Sequence, residues 1–474
     1  MPANLTLVNI IPQSLSGETN FDSEPNLAVD PANPSLICAS AFTPNPAGSG
    51  DAPIYVSSDG GNTWSLQAIV PSDQMTADIT LRFSANSNLY AGIIRTPIQN
   101  DAPRLNILRS TNVLSGVEMT VLVDRTGQGV DQPYIQVGSA ADGQGGTADV
   151  VVCGDNDFNQ PSQTATLDFS ASAASSPAPF STAAVDVRAG NGDAPSIRPA
   201  IHADGTVYAA FLSRTGGNDP NFIYNVVVTR DDQLGQGAPP FGALTDPSDG
   251  LAGVLVATNR LIPFINQPVF GQERIGSTLT IGVDPRAGQS GTVFLAWADR
   301  VSQNDYTIHL VKSTDRGQTW SADLLTITNA TNPAVAVNTD GVLAFVYQQL
   351  TGPFTPNQVS AANRWVTHLQ TSTDMGTTWN DLVLATTPAN QPPNPPPGQV
   401  QAMLPYLGDY LHLMAAGSTF YGIFSANNTP DPADFPNGVV FQRNHDMNAR
   451  TLFDVDGVTP VDISIDPFFF KLTP

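Results

Sequence analysis

Three copies of one eight-residue stretch decide the fold: Ser57-Ser58-Asp59-Gly60-Gly61-Asn62-Thr63-Trp64, Ser313-Thr314-Asp315-Arg316-Gly317-Gln318-Thr319-Trp320 and Ser372-Thr373-Asp374-Met375-Gly376-Thr377-Thr378-Trp379. All three fit Ser-x-Asp-x-Gly-x-Thr-Trp, and each follows a strand-like run. In such a turn the Ser and Asp side chains accept backbone N–H groups, Gly adopts a positive φ, and Trp packs back as an apolar anchor. Each copy predicts a hairpin turn, and the repetition predicts a fold made of repeated units.

A second repeat, an alternating apolar strand, lies upstream of these turns. Its clear copies begin with a polar residue followed by Pro, which costs no ladder hydrogen bond at a strand start; they begin at Glu24, Gln132, Arg198 and Asn332. Looser copies begin at Asp78, Ser277 and Asp409. The Asp of the turn follows the strand start by 35 residues (24 to 59), 38 residues (277 to 315) and 42 residues (332 to 374), so the two repeats keep phase.

Seven such units, each with about four short strands, predict an all-β protein: a β-propeller of four-stranded antiparallel blades. We expect seven blades, or six if the second or the seventh unit is an insertion. Residues 5–10 and 461–466 both alternate as half-buried strands do, so we expect them to complete one blade and close the ring. Residues 1–474 then form a single propeller domain, with surface loops at 170–184 and 388–397.

Composition agrees with this fold and excludes several classes of protein. The 39 Gly and 40 Pro of the 474 residues are spread along the chain, as a fold with many turns requires. A formal charge of -23 argues against nucleic acid as a partner, and no apolar run is long enough to span a membrane. The two cysteines, Cys38 and Cys153, lie in apolar runs, which predicts buried thiols and excludes a disulfide framework.

The Trp-ended turn resembles the Asp-box, or bacterial neuraminidase repeat, of sialidases and several other propeller families. In those families the box lies at the blade periphery, which implies a structural role for Asp59, Asp315 and Asp374. The strand starts, together with Gly408-Asp409-Tyr410, resemble a group of bacterial sialidase-like proteins. This resemblance implies a secreted or cell-surface protein, although Met1-Pro2-Ala3-Asn4 has no signal-peptide pattern.

The sequence departs from the sialidase pattern in its basic residues. Sialidases bind the substrate carboxylate with three Arg, the first ahead of the first box, because guanidinium binds a carboxylate bidentately. Here the first Arg is Arg82, beyond the first box. The family's Tyr nucleophile also needs a Glu partner, and none of the four Glu lies in a matching motif; they are Glu18, Glu24, Glu118 and Glu273. Whether the protein is an enzyme is therefore left open by the sequence.

Chemistry is expected at the central axis, because the first strand of each propeller blade lines the channel. We predict a polar funnel that binds a sugar or a hard cation and in which neighbouring carboxylates raise one pKa for general-acid work. The catalytic candidates are Asp409, Tyr410, Glu24 and Asp78, and the substrate-binding candidates are Arg198, Asp131, Gln132 and Arg274. Asn332 reaches the same mouth. The alternative is that these residues cap strand starts and bind channel waters.

Two further patches are weaker candidates. Residues 271–275 contain Glu273 and Arg274, which predict either a loop site or a surface ion pair. Residues 153–158 contain Asp155 and Asp157, which predict a solvated turn or, more weakly, a calcium loop. No cofactor is required by these patterns, and calcium is the one candidate.

Two functions from different classes follow. The first is a sialidase-like glycoside hydrolase that acts through the funnel carboxylates on a carbohydrate or glycan. The alternative is a non-catalytic propeller whose loops bind carbohydrate or protein. Fold alone does not decide between them.

Overall fold

The computed structural model describes residues 4–42, 54–71, 76–96, 103–126, 129–141, 145–218, 221–263, 279–302, 305–353, 359–392 and 405–474. Arg274 and the rest of residues 271–275 lie outside these residues, as does the expected strand start at Ser277.

The described residues form an all-β structure whose strands are numbered in chain order. The strands are β1 (Leu5–Asn9), β2 (Ser23–Val29), β3 (Ile37–Phe42), β4 (Ile54–Ser57), β5 (Ser65–Gln67), β6 (Thr76–Phe83), β7 (Leu89–Arg95), β8 (Arg104–Ser110), β9 (Thr120–Thr126), β10 (Val130–Ala141), β11 (Thr147–Asp157), β12 (Ala165–Ser170), β13 (Ser181–Ala184), β14 (Arg198–Ile201), β15 (Val207–Asn218), β16 (Asn221–Asp231), β17 (Val254–Pro263), β18 (Leu279–Val283), β19 (Val293–Ser302), β20 (Asp305–Ser313), β21 (Leu325–Thr328), β22 (Ala330–Val337), β23 (Leu343–Thr351), β24 (Arg364–Ser372), β25 (Asn380–Pro388), β26 (His412–Ala416), β27 (Thr419–Asn427), β28 (Val440–Phe441), β29 (His445–Asp446), β30 (Thr451–Phe453), β31 (Pro460–Val461) and β32 (Ile465–Leu472).

The helices that the structure describes are two short 3-10 turns, Gln13–Leu15 and Pro432–Asp434. None of the described helices has the length and apolar character needed to cross a membrane.

Antiparallel sheets built from consecutive strands confirm the predicted β-propeller class. In the described part of the chain six sheets have four strands each, from β2–β5 through β22–β25, while one sheet has five strands and one has three. The first strands contact one another in the order β2, β6, β10, β14, β18, β22, β26 and back to β2. This closed order supports a seven-bladed ring, and the blade number stays a prediction.

The five-stranded sheet joins the two ends of the described chain. Its order is β26-β27-β32-β1-β28, and Leu5 to Asn9 pair antiparallel with Leu472 to Phe468. The N-terminal strand lies where the alternation predicted it. The C-terminal prediction was wrong in position: the strand is Ile465–Leu472 rather than 461–466, and Pro460–Val461 instead pairs with β30.

Apolar side chains from neighbouring sheets pack face to face to form the core. One cluster combines Ala28 and Val56 of the β2–β5 sheet with Leu81 and Ala91 of the β6–β9 sheet. Both cysteines are fully buried free thiols, as the sequence predicted. The sheets thus hold their first strands rigidly around the axis, where the candidate site lies.

The three Trp-ended turns share one hydrogen-bond pattern after the third strand of their sheets. In the first, Thr63 N and Thr63 Oγ1 donate to Asp59 at 2.9 and 2.6 Å, and Gly61 N donates to Ser57 Oγ at 2.9 Å. The corresponding Thr319–Asp315 and Thr378–Asp374 bonds measure between 2.6 and 2.9 Å. The three turns therefore have the same hydrogen bonds between the Asp side chain and the backbone and side chain of the following Thr.

Candidate functional site

Three first strands begin with the same local distortion, which determines where their polar side chains lie. Glu24, Gln132 and Asn332 each precede Pro and have φ values of 51°, 45° and 54°. At each of these strand starts the register with the next strand shifts, so one extra residue bulges out of the ladder. A positive φ is unfavourable for these residue types, and such strain concentrates at functional sites. The bulges therefore indicate that the candidate functional site lies at the axial mouth.

A carboxyl pair lies at this mouth. Glu24 and Asp78 are 2 % and 6 % exposed and are hydrogen-bonded to each other. Burial raises the pKa of Asp78 well above its ordinary value, and the negative charges of Glu24 and Asp131 raise it further. Two carboxyl groups in contact cannot both ionise readily, so the protonated form of Asp78 is favoured.

A cavity of about 570 Å³ opens on this pair. Its polar lining consists of the pair and neighbouring side chains, and aromatic and aliphatic residues complete the wall; the lining includes Glu24, Asp78, Asp131, Gln132, Tyr406, Asp409, Phe42 and Ile94. Concave sites that mix apolar surface with a few polar groups are typical of small-molecule binding. The cavity thus brings five of the eight sequence-predicted site residues to one surface.

The loop before β26 completes the acidic wall by approaching Glu24 closely. Gly408 has φ +97°, and a Cβ there would lie 2.4 Å from Glu24 N, so only glycine fits. This approach lets Asp409 N donate to Glu24 Oε1 at 3.3 Å, and Tyr406 OH donates to the same oxygen. Asn332 Nδ2 secures the loop by donating to Gly408 O at 3.1 Å.

Gln132 connects the acidic wall to a buried arginine. Its Nε2 donates to Asp409 Oδ2 at 2.8 Å, and its Oε1 accepts from Arg198 Nη2 at 2.9 Å. The Arg198 guanidinium lies 4.3 Å from the Tyr134 ring centroid and 5.4 Å from that of Tyr410. Among the described residues its buried Nη1 has no hydrogen-bond partner. Arg198 is therefore held between two aromatic rings behind the cavity lining.

Tyr410 lies behind the carboxyl pair and donates its hydroxyl to Asp78 Oδ1 at 3.1 Å. Burial raises the pKa of Tyr410 well above its ordinary value, and the charges of Asp78 and Glu24 add to the shift. The phenol is thus held in its protonated form and orients Asp78.

A second layer of side chains closes the channel beneath the site. Arg82 Nη1 donates to Asn26 Oδ1 at 3.2 Å, Arg82 Nε donates to Gln136 Oε1 at 3.1 Å, and Arg82 Nη2 contacts His412 Nε2. Burial, then the charge of Arg82, lowers the pKa of His412 well below its ordinary value, so the imidazole is neutral. Beyond this layer a cavity of about 560 Å³ opens at the opposite ends of the first strands, lined by Val29, Val283 and Val337. Arg82 and Gln136 of this layer line the second cavity, whereas neither lines the funnel cavity.

The structure brings together every predicted site residue that it describes. Glu24, Asp78, Asp131, Gln132 and Asp409 line the cavity, while Arg198 and Tyr410 contact this group from behind. Arg274 lies outside the described residues. The catalytic and substrate-binding roles given to these residues stay predictions.

Sequence reasoning missed four side chains that build this region: Tyr134, Tyr406, Arg82 and His412. Three of them were available from strand alternation, because Tyr134, Arg82 and His412 follow Gln132, Asp78 and Tyr410 by two or four residues and so share their face. Tyr406 gave no such signal, since it lies in a loop.

The solvated turn predicted at residues 153–158 is wrong. Residues up to Asp157 belong to β11, and Asp155 is fully buried against Arg125, with Arg125 Nη2 at 2.5 Å from Asp155 Oδ2. Arg125 also pairs with Asp157 and Asp168, so its guanidinium supplies the positive charge next to these carboxylates.

Solved structures resemble this chain over most of its length at low sequence identity. No protein-family model matches the chain, and no curated protein matches it. Similar solved structures include the GH93 α-L-arabinofuranosidase of Fusarium graminearum with arabinobiose, at 11 % identity and TM-score 0.44, covering 73 % of this chain and 92 % of that one. YCF48 bound to D1 peptide has 10 % identity and TM-score 0.41, covering 90 % and 93 %. A Hadza microbial sialidase has 12 % identity and TM-score 0.36, covering 83 % and 72 %.

Proposed function

We propose that the protein is a carbohydrate-active propeller of sialidase-like type, and that it hydrolyses a glycosidic bond in the axial funnel. The observation that supports this is the buried Glu24–Asp78 pair, which holds a proton and faces a cavity shared with Asp131 and Asp409. Glycoside hydrolysis needs a protonated carboxyl group as general acid and a second, ionised carboxylate. The three Trp-ended turns are proposed as Asp-boxes with a purely structural role, on a single seven-bladed domain.

Each funnel residue has a role in this proposal. Asp78 donates the proton to the leaving-group oxygen, since its raised pKa favours the protonated form. Asp131 or Asp409 is the second carboxylate, and Tyr410 is a positioning residue that orients Asp78 through its 3.1 Å hydrogen bond. Glu24 stabilises the protonated acid. Arg198 and Gln132 bind sugar hydroxyl groups.

The arginine environment favours a neutral sugar over a sialic acid as substrate. Arg198 retains a free donor, but Arg82 already donates to Asn26, Gln136 and two backbone carbonyls, those of Leu27 and Leu81. A carboxylate-binding triad needs several guanidinium groups with unused donors. Among the described residues Arg198 is the one such group in this region, which fits hydroxyl recognition instead.

The hydrolase proposal is tested with a panel of chromogenic glycosides, arabino-oligosaccharides and sialosides. We expect cleavage of a neutral glycoside, and a fall in kcat/KM of about 100-fold or more in Asp78→Asn. The activity should decline on the alkaline side as Asp78 loses its proton. Asp340→Asn is the matched control, because Asp340 is exposed in the turn at the far end of β22. Full activity in Asp78→Asn would contradict the assignment.

A binding function is the second candidate, and one observation favours it. Asp78 is hydrogen-bonded to both Glu24 and Tyr410, whereas a general acid must direct its proton to the leaving-group oxygen. The polar funnel would then bind a glycan, or a polar loop of a protein, without cleaving it. Glycan-array binding that Arg198→Ala removes, with no turnover on any substrate of the panel, would support this candidate and reject hydrolysis.

A further inference from the structure

A second acidic cluster, whose residues do not line the funnel cavity, lies where the chain ends meet. Glu18 and Asp22 belong to the segment between β1 and β2, and Asp466 is the second residue of β32. One carboxylate oxygen of each lies within 4.8 Å of the others. Asp22 and Asp466 are fully buried. The cluster therefore joins two segments more than four hundred residues apart in sequence.

The charges within this cluster do not balance. Arg443 is fully buried and pairs with Asp466, Nη1 to Oδ2 at 2.9 Å. Asn9 and Asn428 donate neutral hydrogen bonds to Asp466, each at 2.7 Å. Among the groups whose contacts the structure describes, three carboxylates face one guanidinium, which leaves two negative charges when all are ionised. Buried charge of this kind is costly unless a cation neutralises it or a proton is taken up.

A buried hydroxyl next to the carboxylates supplies an independent indication of a ligand. Tyr55 is fully buried, and its hydroxyl has no hydrogen-bond partner among the described residues. Tyr55 packs in one cluster with Ile11 and Phe469, which belong to the two segments that carry the carboxylates. Burial raises the pKa of Tyr55, and the charges of Asp22, Glu18 and Asp466 raise it further. Glu18 Oε2 is likewise buried without a partner in the described part of the chain. Buried polar atoms without partners are rare unless an ion or water occupies the space between them.

We propose that Glu18, Asp22 and Asp466 bind a calcium ion that fastens the N-terminal segment to β32. Oxygen atoms on one calcium lie at about 2.3–2.6 Å from it, and therefore up to about 5 Å from each other, which fits this cluster. Two positive charges balance the two excess negative charges. Magnesium is the poorer candidate, because it keeps several waters and a buried cluster offers them little room.

Calcium binding is tested on the full-length protein after chelation and dialysis. Isothermal titration with CaCl₂ should give one site per chain, and Tm should rise with the logarithm of the calcium concentration, since the ion binds the folded state. MgCl₂ should give a smaller rise. Glu18→Gln should weaken calcium binding by about 10-fold or more by removing one charged ligand.

Three further variants test whether the ion binds at this cluster. Glu118→Gln is the matched substitution on an exposed Glu, and Asp131→Asn removes a carboxylate of the funnel; both should bind calcium as the parent protein does. Asp22→Asn serves as a second ligand variant if Glu18→Gln does not fold. If the metal-free protein is folded and its Tm does not change with calcium, the proposal is overturned. The excess negative charge of the cluster would then be neutralised by a bound proton. Unchanged binding in both ligand variants would overturn it as well.

Discussion

Gly408 is the residue on which the geometry of the candidate site depends most directly. Its φ is +97°, and a Cβ added there would lie only 2.4 Å from Glu24 N, which leaves no room for a side chain. Because the obstructing atom belongs to the backbone, relief requires the loop or the first strand to move. Any such movement would displace Asp409 from Gln132 and Glu24, with which it is hydrogen-bonded.

Gly408→Ala should therefore damage both stability and the site. We expect a loss of about 2–4 kcal/mol in the free energy of unfolding, since backbone strain and steric overlap add. Ligand binding or turnover in the funnel should fall with it. Chemical denaturation and activity measurements on the same preparation check this outcome.

Gly417→Ala is the matched control for that experiment. Gly417 also has a positive φ, +62°, but a Cβ there would meet nothing within 4 Å. It should lose only about 1–2 kcal/mol, the conformational part of the effect, and keep the function of the funnel. If the free energy of unfolding falls equally in Gly408→Ala and Gly417→Ala, close packing at Gly408 does not contribute to stability.

At the level of single residues, strand spacing predicted most of the candidate site. Glu24, Asp78 and Gln132 could be placed at one mouth because each begins a first strand, and first strands converge on the axis. The contact of Tyr406 with Glu24 could not be predicted, since it joins residues 382 apart through an irregular loop. The positive φ at Glu24 could not be predicted from the sequence either, because a residue before Pro ordinarily adopts an extended backbone conformation.

The Trp-ended turns are the elements in which sequence and structure agree most closely. The Asp of each turn accepts hydrogen bonds from the following Thr and the preceding Ser, all within the motif. Local hydrogen bonds of this kind depend on few residues, so a short pattern is enough to predict them. Trp differs among the copies: Trp64 and Trp320 donate to Gly61 O and Gly317 O, whereas buried Trp379 Nε1 has no partner in the described residues.

Acid should weaken these turns in a defined pH range. The side chain and backbone N–H of Thr378, then Ser372, lower the pKa of Asp374 to about 2. A carboxyl whose pKa is lowered on folding stabilises the protein above its unfolded pKa of about 4 and ceases to do so as pH falls to about 2. The free energy of unfolding should therefore decline over this range.

Asp374→Asn isolates the contribution of one turn to that decline. The carboxylate accepts the Thr378 N–H on Oδ1 and the Thr378 hydroxyl on Oδ2, whereas an amide offers only one acceptor oxygen. The variant should therefore be less stable than the parent at pH 7. The difference should shrink as pH approaches 2, because the parent then loses the same charge. Urea denaturation at several pH values measures it, with exposed Asp340→Asn as the control. A difference that stays constant with pH would mean that the charge of Asp374 does not matter.

The misplacement of β32 shows where strand prediction fails. Residues 461–466 alternate between apolar and polar types, whereas Pro467-Phe468-Phe469-Phe470 is a continuous apolar run. Phe468, Phe469 and Phe470 are all fully buried, because β32 lies inside a sheet between β27 and β1 and both of its faces are covered. A strand buried on both faces has no alternation to detect.

For the molecule as a whole, stability depends on how the ring is closed. β32 pairs with β27 on one side and with β1 on the other, so the last sheet is completed by the N-terminal strand. Buried Arg443 and Asp466 lie at the same junction. An edge strand of Phe-rich sequence would otherwise be exposed, and such edges promote aggregation. The formal charge of -23 adds a repulsion that the closed ring must withstand.

Removal of residues 1–9 should open this junction without touching the funnel side chains. β32 would lose the partner that pairs with Phe468 to Leu472, and Asp466 would lose the hydrogen bond from Asn9. We expect a lower Tm and concentration-dependent association, measured by scanning calorimetry and light scattering. A synthetic peptide of residues 4–11 should restore both properties by pairing with β32, while a scrambled peptide of the same composition should not, because register and side-chain alternation determine the fit. If the truncated protein has the same Tm as the parent and stays monomeric, the remaining sheets close the ring without β1. Pairing of β1 with β32 would then add nothing measurable to stability.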